Sequence, residues 1–389
     1  MRKTILAVIF ICAINLFNIS VASNKNPIDL SLAKEIDHSI KDGLKWLHSQ
    51  QEDDGSWQHY PAITGLVLSS YLRAHPSISV DEPVIFNGFE FLKSCVHPNG
   101  SIYLDDMPNY NTAICLVAFK DANYPGFEMI IKNAEDYLIG LQIDESEGFT
   151  ADSLHYGGVG YGGDERPDLS NLQWAIEAMA LDDPKNTRPE EILTPEEKER
   201  VENKKVFYNK TLTFLAKCQN LQSVNPEAYS QNDGGFMYEP GASKAGGTDS
   251  YASMTYAGLK SMIYANVDKN DVRVQSALNW IQSNYAVETT PRMGKQGLFY
   301  YYQTMSKSLN AIGVETITDS AGVEHFWRYD LANQIMKIQN IKGFWVNENG
   351  RWWENNPVLV TAYSILALEE LAGLPESTTI KKRKNILVK

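Results

Sequence analysis

Cysteine and positive charge are both scarce in this chain. Of 389 residues only four are cysteine, and beyond the first 22 residues only Cys95, Cys115 and Cys218 remain. An odd number with no paired spacing excludes a disulfide framework, and the three read as buried helix residues. Lys and Arg number 35 against 48 Asp and Glu, a formal charge of −13. Such an acidic body is a poor match for nucleic acid. The exception is Lys381-Lys382-Arg383-Lys384, in a basic tail spanning 374–389 that could touch an anionic membrane surface or simply be a solvated end.

Long apolar runs are missing too. The longest stretch, Ile5 to Phe17, follows Arg2-Lys3 and precedes Ser20-Val21-Ala22. That layout predicts a secretory signal peptide over 1–22 and an exported chain, periplasmic or secreted, because the apolar segment is short for a membrane span. A retained N-terminal anchor is the alternative. Phe10-Ile11 before Cys12 lacks the small residues that lipid attachment needs, so no lipid anchor is expected. A polar lead-in, 23–37, comes next.

What is present is a repeat. Its clearest copy runs from Leu331 to Ala372: a helix end at Met336 to Gln339, a turn Gly343-Phe344-Trp345, a polar aromatic loop Arg351-Trp352-Trp353-Glu354, and an apolar helix from Pro357 through Thr361-Ala362-Tyr363. Fainter copies carry Gly55-Ser56-Trp57, Gly100-Ser101-Ile102, Gly148-Phe149, Gly235-Phe236 and Gly297-Leu298-Phe299, so six are expected. Their glycines step by 45, 48, 87, 62 and 46 residues, and the short steps match a two-helix hairpin. One hairpin cannot bury its own apolar face; six stacked over 38–373 make an open solenoid or a closed ring.

The long steps hold insertions. His155 to Gly163 has five glycines in nine residues, which excludes a helix and suggests a flexible lip. No Lys-Ser/Thr pair ends it, so it is not a phosphate cradle. A charged insertion at about 182–206 includes Thr194-Pro195-Glu196-Glu197, a capping box, and reads as an exposed excursion.

These markers resemble the repeats of the squalene-hopene cyclase and protein prenyltransferase superfamily. Gln51 to Gly55-Ser56-Trp57 and Gln339 to Gly343-Phe344-Trp345 match its Q-x-x-x-G-x-W unit, and Thr361-Ala362 opens the following helix as in that family. The resemblance implies an all-α fold, an α/α toroid of about six helical hairpins with six inner helices around a cavity that holds an isoprenoid. The family's chemistries do not carry over. Where class II cyclases have D-x-D-D, this chain has Asp168-Leu169-Ser170-Asn171, with Ser170 in place of the proton donor. A serine is no substitute for a carboxylic acid. Where prenyltransferases bind zinc through Asp, Cys and His, it has Asp249-Ser250, and no His occurs from Asn356 to Glu370. No metal or other cofactor is expected. No mature cysteine precedes a glycine, which excludes the thioester run of complement-type toroids.

Polar groups near inner-helix starts come first as site candidates. Asp168 and Asp249 are candidate catalytic carboxylates or helix caps. Lys307 is a desolvated base or a lysine reaching solvent. Tyr300 and Tyr301, with Trp174 and Tyr256, are candidate aromatic walls for a cation or an apolar ligand, or ordinary core. Arg351, Trp352, Trp353 and Glu354 could grip a carboxylate or a sugar, or seal the last copy against the first. His155 stands at the glycine lip; His325 and Arg328 are weaker candidates. Two functions follow: an exported toroid that holds an extended apolar isoprenoid-type ligand and could cyclise or isomerise it, or a carbohydrate-directed or non-catalytic toroid of the cell envelope. A scaffold in a larger complex is a third. The ligand is then a small apolar molecule or a glycan, and the oligomeric state stays open.

Overall fold

The computed structural model describes residues 28–74, 78–162, 166–180 and 193–372. The expected signal peptide, the basic tail and the first part of the charged insertion lie outside the described residues.

Twelve α-helices occur among the described residues: α1 Leu30–His48, α2 Pro61–Ala74, α3 Pro83–Ser94, α4 Pro108–Ala122, α5 Glu128–Ile139, α6 Leu169–Ala180, α7 Pro195–Cys218, α8 Ala252–Tyr264, α9 Val272–Ser283, α10 Leu298–Ile312, α11 Trp327–Lys337 and α12 Pro357–Leu371. The even-numbered helices touch one another in sequence, and α12 returns to α2, so they form a closed ring. Odd-numbered helices pack outside it. The expected α/α toroid of six hairpins is therefore the fold. A small antiparallel ribbon, β1 Ile317–Thr318 and β2 Glu324–His325, sits between α10 and α11.

The sequence explains the two layers. On α1 the buried residues Leu32, Ile36, Ile40, Leu44 and Leu47 recur at helical spacing on one face, while Lys34, Asp37 and Lys41 face solvent. On α12 every residue from Val358 to Leu371 is buried. A helix covered all round belongs inside the ring.

Each Q-x-x-x-G-x-W residue has a mechanical task. Gln339 Nε2 donates to Gly343 O at 2.8 Å and to Ser39 O, on α1, at 2.9 Å, which ties the last copy to the first. Gln51 Nε2 repeats this with Gly55 O and Val84 O, both at 2.9 Å. Gly343 has φ +96°, and a Cβ there would lie 2.5 Å from the Asp42 carbonyl, so the turn needs glycine twice over. Trp345 Nε1 donates to Ile335 O at 2.8 Å, and its backbone N–H donates to Thr361 Oγ1 at 3.0 Å, which is why a threonine opens the inner helix.

These contacts correct the repeat boundaries. In copy three Gln142 Nε2 bonds Gly157 O at 3.1 Å and Phe207 O at 3.0 Å, and Gly157 presses on the Lys210 carbonyl. The turn glycine is thus Gly157, in the expected lip, and Gly148 faces open space. In copy four Gln219 Nε2 bonds Gly234 O at 3.0 Å, one residue before the expected Gly235. Copy five departs: Gly297 precedes α10 and makes room for the Trp352 ring, 2.9 Å from where a Cβ would sit.

The described part of the charged insertion is mostly exposed, but it is anchored by buried and half-buried cations. From Pro195 it forms the first turns of α7, and Lys204 is buried with its Nζ 2.9 Å from Glu135 Oε1. Lys120 Nζ reaches the same oxygen at 2.6 Å, and Arg200 pairs with the other oxygen. Burial pushes Glu135 up, but its three cationic neighbours outweigh that and hold it far below the usual range. Two of its charges, Arg200 and Lys204, fasten α7 to α5. No helix among the described residues is long and apolar enough to cross a membrane.

Candidate functional site

The hole in the ring is open at one end. A cavity of about 220 Å³ lies against the N-terminal halves of all six inner helices. Its wall includes Ile63 and Leu66 of α2, Tyr110 and Ile114 of α4, Ser170 of α6, Met254 of α8, Tyr300 of α10, and Leu359 and Tyr363 of α12. Loops before those helices add Tyr60, Tyr161, Tyr238, Tyr251, Trp352, Trp353 and Glu354. Seven tyrosines and two tryptophans thus surround one space.

Five of the seven tyrosine hydroxyls have a protein partner. Tyr110 Oη lies 2.5 Å from Ser170 Oγ, which lies 3.2 Å from Tyr300 Oη. Tyr161 and Tyr238 hydroxyls pair at 3.0 Å, and Tyr60 donates to Asp106 at 2.9 Å. Burial raises the Tyr110 and Tyr300 hydroxyls well above the ordinary phenol, so they stay protonated. The rings supply faces, and these five polar ends are fixed.

Among the described residues one carboxyl, Glu354, stands on this wall. Glu354 Oε1 accepts the backbone N–H groups of Phe299 and Tyr300, both at 2.9 Å, at the start of α10; Oε2 accepts Asn347 Nδ2 at 2.6 Å. Those bonds favour the ionised form, yet burial wins and pushes the carboxyl up to about 7. Trp352 and Trp353, just before it, have left-handed backbones with φ of +56° and +64°. Such strain in bulky residues persists only where the surroundings impose it. Here Arg351 Cζ stacks 4.3 Å from the Trp352 ring centroid, and Trp353 meets Tyr60 edge-on at 5.3 Å. Being 44% and 46% exposed, the two indoles form the lip of the cavity.

Asp168 is buried behind the wall. Its Oδ1 accepts Asn171 N–H at 2.8 Å, the geometry of a helix cap on α6, and Oδ2 accepts Asn171 Nδ2 at 2.7 Å. Burial raises it to about 6 against the pull of Asn171 and Tyr238. Ser170, not Asp168, reaches the cavity.

The opposite half of the ring is filled. Glu177 on α6 accepts Lys260 Nζ of α8 at 2.5 Å and Lys307 Nζ of α10, and Gln173 Oε1 also accepts Lys260 at 2.5 Å. Burial pushes Glu177 up, and the two lysines outweigh it, holding it down at about 2. Glu369 of α12 is buried without a hydrogen bond to either oxygen among the described residues, and burial raises it well above the carboxylate range.

Four of the expected site residues therefore meet in the cavity: Tyr300, Trp352, Trp353 and Glu354. Arg351 is exposed beside them and pairs with Gln296. Its loop also seals the ring, since the Asn356 and Gln58 amides pair across copies six and one. The others lie elsewhere. Lys307 is consumed by Glu177 and neither reaches solvent nor faces the cavity. Asp249 accepts Gln231 Nε2 at 2.8 Å, and the cap position of α8 is Tyr251 instead. His155 packs near Phe149 on the outer side of its loop. Trp174 lies beneath Lys260, and Tyr256 packs on Tyr301, whose hydroxyl donates to Ala286 O at 2.6 Å. His325 bonds Asp319 at 3.0 Å, and Arg328 bonds Glu370 O at 3.0 Å, both structural. Tyr60, Tyr110, Tyr161, Tyr238, Tyr251 and Tyr363 are cavity residues that sequence reasoning missed. Tyr60, Tyr110 and Tyr251 occupy the first turn of an inner helix or the residue before it, so an aromatic at that position is the signal that could have found them. Among the described residues no three His, Cys, Asp or Glu side chains gather as a metal site.

No known family profile matches the sequence, and no curated protein matches it either. Solved structures do share its shape. One is a type II terpene cyclase, MstE, from Scytonema, in complex with its product merosterolic acid A: TM-score 0.53, 13% identity, covering 90% of this chain and 100% of that one. Another is a family 76 glycoside hydrolase from a bovine Bacteroides thetaiotaomicron strain: TM-score 0.54, 10% identity, 89% and 78% covered. A third is a possible GH105 family member from Salmonella enterica serovar Paratyphi A: TM-score 0.52, 9% identity, 87% and 94% covered. At such identities the likeness establishes the α/α toroid alone.

Proposed function

We propose that this chain is an exported toroid that takes a short prenyl arm of an isoprenoid-type molecule into its central cavity and isomerises or cyclises it there. The observation that carries this reading is the aromatic wall: seven tyrosines and two tryptophans around one space, with the hydroxyls of Tyr60, Tyr110, Tyr161, Tyr238 and Tyr300 tied to protein partners. Ring faces suit an apolar branched chain and stabilise positive charge that develops on it. A terpene cyclase among the proteins of the same fold supports the choice. At about 220 Å³ the cavity is smaller than the roughly 300–1,000 Å³ of drug-sized sites, which favours one prenyl arm over a long folded polyprene. The remainder of the ligand would leave past Trp352 and Trp353. Export rests on the layout of residues 1–22 and is tested by N-terminal sequencing of the mature chain, which should begin at Ser23.

The experiment titrates purified protein with geraniol, farnesol and geranylgeraniol while following tryptophan fluorescence and native mass spectra. Saturable binding of at least one, weakened about 10- to 30-fold in Trp352→Ala, is expected. Failure of all three to bind sinks the reading.

One observation favours a second reading. The half-exposed Trp352 ring, with Arg351 stacked on it, is also a platform for a sugar ring, and a family 76 glycoside hydrolase shares the fold. Against it, glycoside hydrolysis usually needs two carboxyl groups flanking the bond. Among the described residues only Glu354 stands on this wall. Glycan-array binding abolished by Trp352→Ala, with no prenyl binding, would select it.

A further inference from the structure

We propose that Glu354 is the catalytic residue of this cavity, passing a proton to a double bond of the bound prenyl arm and taking one back from the neighbouring carbon. The assignment rests on the prenyl reading and adds the group that performs the chemistry. It places that group at a loop far in sequence from the Asp168-to-Asn171 stretch where a proton donor was sought.

Position comes first. Among the described residues on the cavity wall Glu354 alone carries a carboxyl, whereas Asp168 is enclosed behind Ser170 and Asp106 holds Tyr60 from outside. Its setting is suited to both halves of a proton transfer. Burial raises it to about 7, since a dry carboxylate is costly, so the acid form prevails below neutral pH. When the proton leaves, the negative charge falls on a group already facing two backbone N–H donors at the positive end of α10. The preorganised donors stabilise the product of the transfer more than its starting state, which is what lowers a barrier. Oε2 has one donor, Asn347, and is the oxygen with room for the proton.

The surrounding groups do not compete. Tyr302 and Tyr363 approach from α10 and α12 as neutral phenols, Tyr300 points its hydroxyl to Ser170, and Arg351, on the same turn, is engaged by Gln296 and the Trp352 face. Among the described residues no cation lies where it would hold Glu354 ionised.

The step balances without a co-reactant. The O–H bond of Glu354 breaks, and the alkene π pair takes the proton at the less substituted carbon, leaving a tertiary cation beside the tyrosine rings. The carboxylate then removes a proton from an adjacent carbon, and that C–H pair becomes the new double bond. The net change is a shifted double bond, with Glu354 returned to its acid form.

The test compares the full chain with Glu354→Gln and Glu354→Asp in D2O, using farnesol as probe. Binding is read by tryptophan fluorescence, proton transfer by deuterium in the recovered farnesol, and the resting acid by the infrared carbonyl band of a protonated carboxyl at pH 6. Glutamine still offers an oxygen to the α10 N–H groups, so Glu354→Gln should bind within about threefold of the parent while losing deuterium exchange by at least about 100-fold, the usual weight of a positioned acid. It should also lose one carbonyl band. Glu354→Asp, a shorter acid, should recover part of the exchange. Exchange that persists in Glu354→Gln overturns the assignment. So does a parent protein that binds farnesol yet exchanges nothing, an outcome that leaves the binding reading intact. Absence of binding in the parent removes the prenyl reading, and this assignment with it.

Discussion

The two halves of the ring's axis are built from the same six helices and have opposite contents. Toward the N-terminal ends of the inner helices, tyrosine rings stand back from the axis and leave a space. Toward their C-terminal ends, Glu177, Lys260, Lys307 and Glu369 fill it. A toroid needs one half to be solid, because a hole running through would leave the inner helices without partners along their full length. In this chain charged groups, rather than leucines, supply the floor. For Glu177, Lys260 and Lys307 the cost of dehydration is offset by pairing, which makes the floor sensitive to any single loss among them, whereas burial pushes Glu369 toward its neutral acid. The cavity half, by contrast, can lose side chains without leaving a charge unpaired.

That contrast predicts its own largest breakage. Glu177→Ala strands two buried lysines and should destabilise the protein by about 3–5 kcal/mol, read as a lower urea midpoint. A change under about 1 kcal/mol would mean that solvent reaches the floor and that the axis is not closed there.

The halves should also answer pH with opposite signs. Glu177 is held below its ordinary value, so its contribution is present above about pH 4.5 and is lost as pH falls through about 2. Glu354, raised to about 7 from an ordinary 4.5, contributes stability that is full below pH 4.5 and disappears as pH rises through 7. At about 1.4 kcal/mol for each pH unit between those two values, Glu354→Gln should gain up to about 3 kcal/mol on the parent between pH 4.5 and 8. Asp168, raised to about 6, adds a slope of the same sign that the variant keeps. Equal pH profiles for parent and variant would show that Glu354 is wet.

How much of this was legible in the chain depends on what each residue does. Gln51, Gly55 and Trp57, and again Gln339, Gly343 and Trp345, could be read because each makes a fixed contact that no other residue type makes. Copies three and four were misplaced because the contact, not the spacing, is what repeats: Gln142 reaches Gly157 across an inserted loop. The site was read through its charges. Asp249 and Lys307 stood out as ionisable groups near helix ends, but one is held on the outer loop and the other is paired in the floor. Trp174, Tyr256 and Tyr301 failed for a different reason. An inner helix is buried on every side, so periodicity cannot separate the strip facing the axis from the strips facing neighbouring helices. Tyr161 and Tyr238 lie in long loops, and which loop folds over the ring is settled only by tertiary contact.

At the lip the expected effects shift from stability to binding. Trp352→Ala removes a half-exposed ring and should cost under about 1 kcal/mol of stability while weakening prenyl affinity about 10- to 30-fold, or about 1.4–2 kcal/mol. Calorimetry with farnesol separates the two. If stability falls more than affinity, Trp352 is holding Gly297 and α10 in place rather than lining an entrance.

The smallest effects test whether the tyrosines are tethered walls or chemical participants. Ser170 Oγ meets both Tyr110 and Tyr300, so Ser170→Ala releases two half-buried hydroxyls, whereas Tyr300→Phe removes one partner at 3.2 Å and leaves the closer 2.5 Å contact intact. A neutral hydrogen bond contributes about 0.5–1.5 kcal/mol, and an orphaned buried hydroxyl costs more than a deleted one. Tyr300→Phe should therefore lose under about 1 kcal/mol of stability, and Ser170→Ala roughly twice as much. Neither should change deuterium exchange into farnesol by more than about threefold, because each ring keeps its face toward the ligand and Tyr300 keeps its backbone N–H on Glu354. A loss of exchange in Tyr300→Phe as deep as in Glu354→Gln would move the proton from the carboxyl to the phenol. The wall would then be part of the reaction instead of its container.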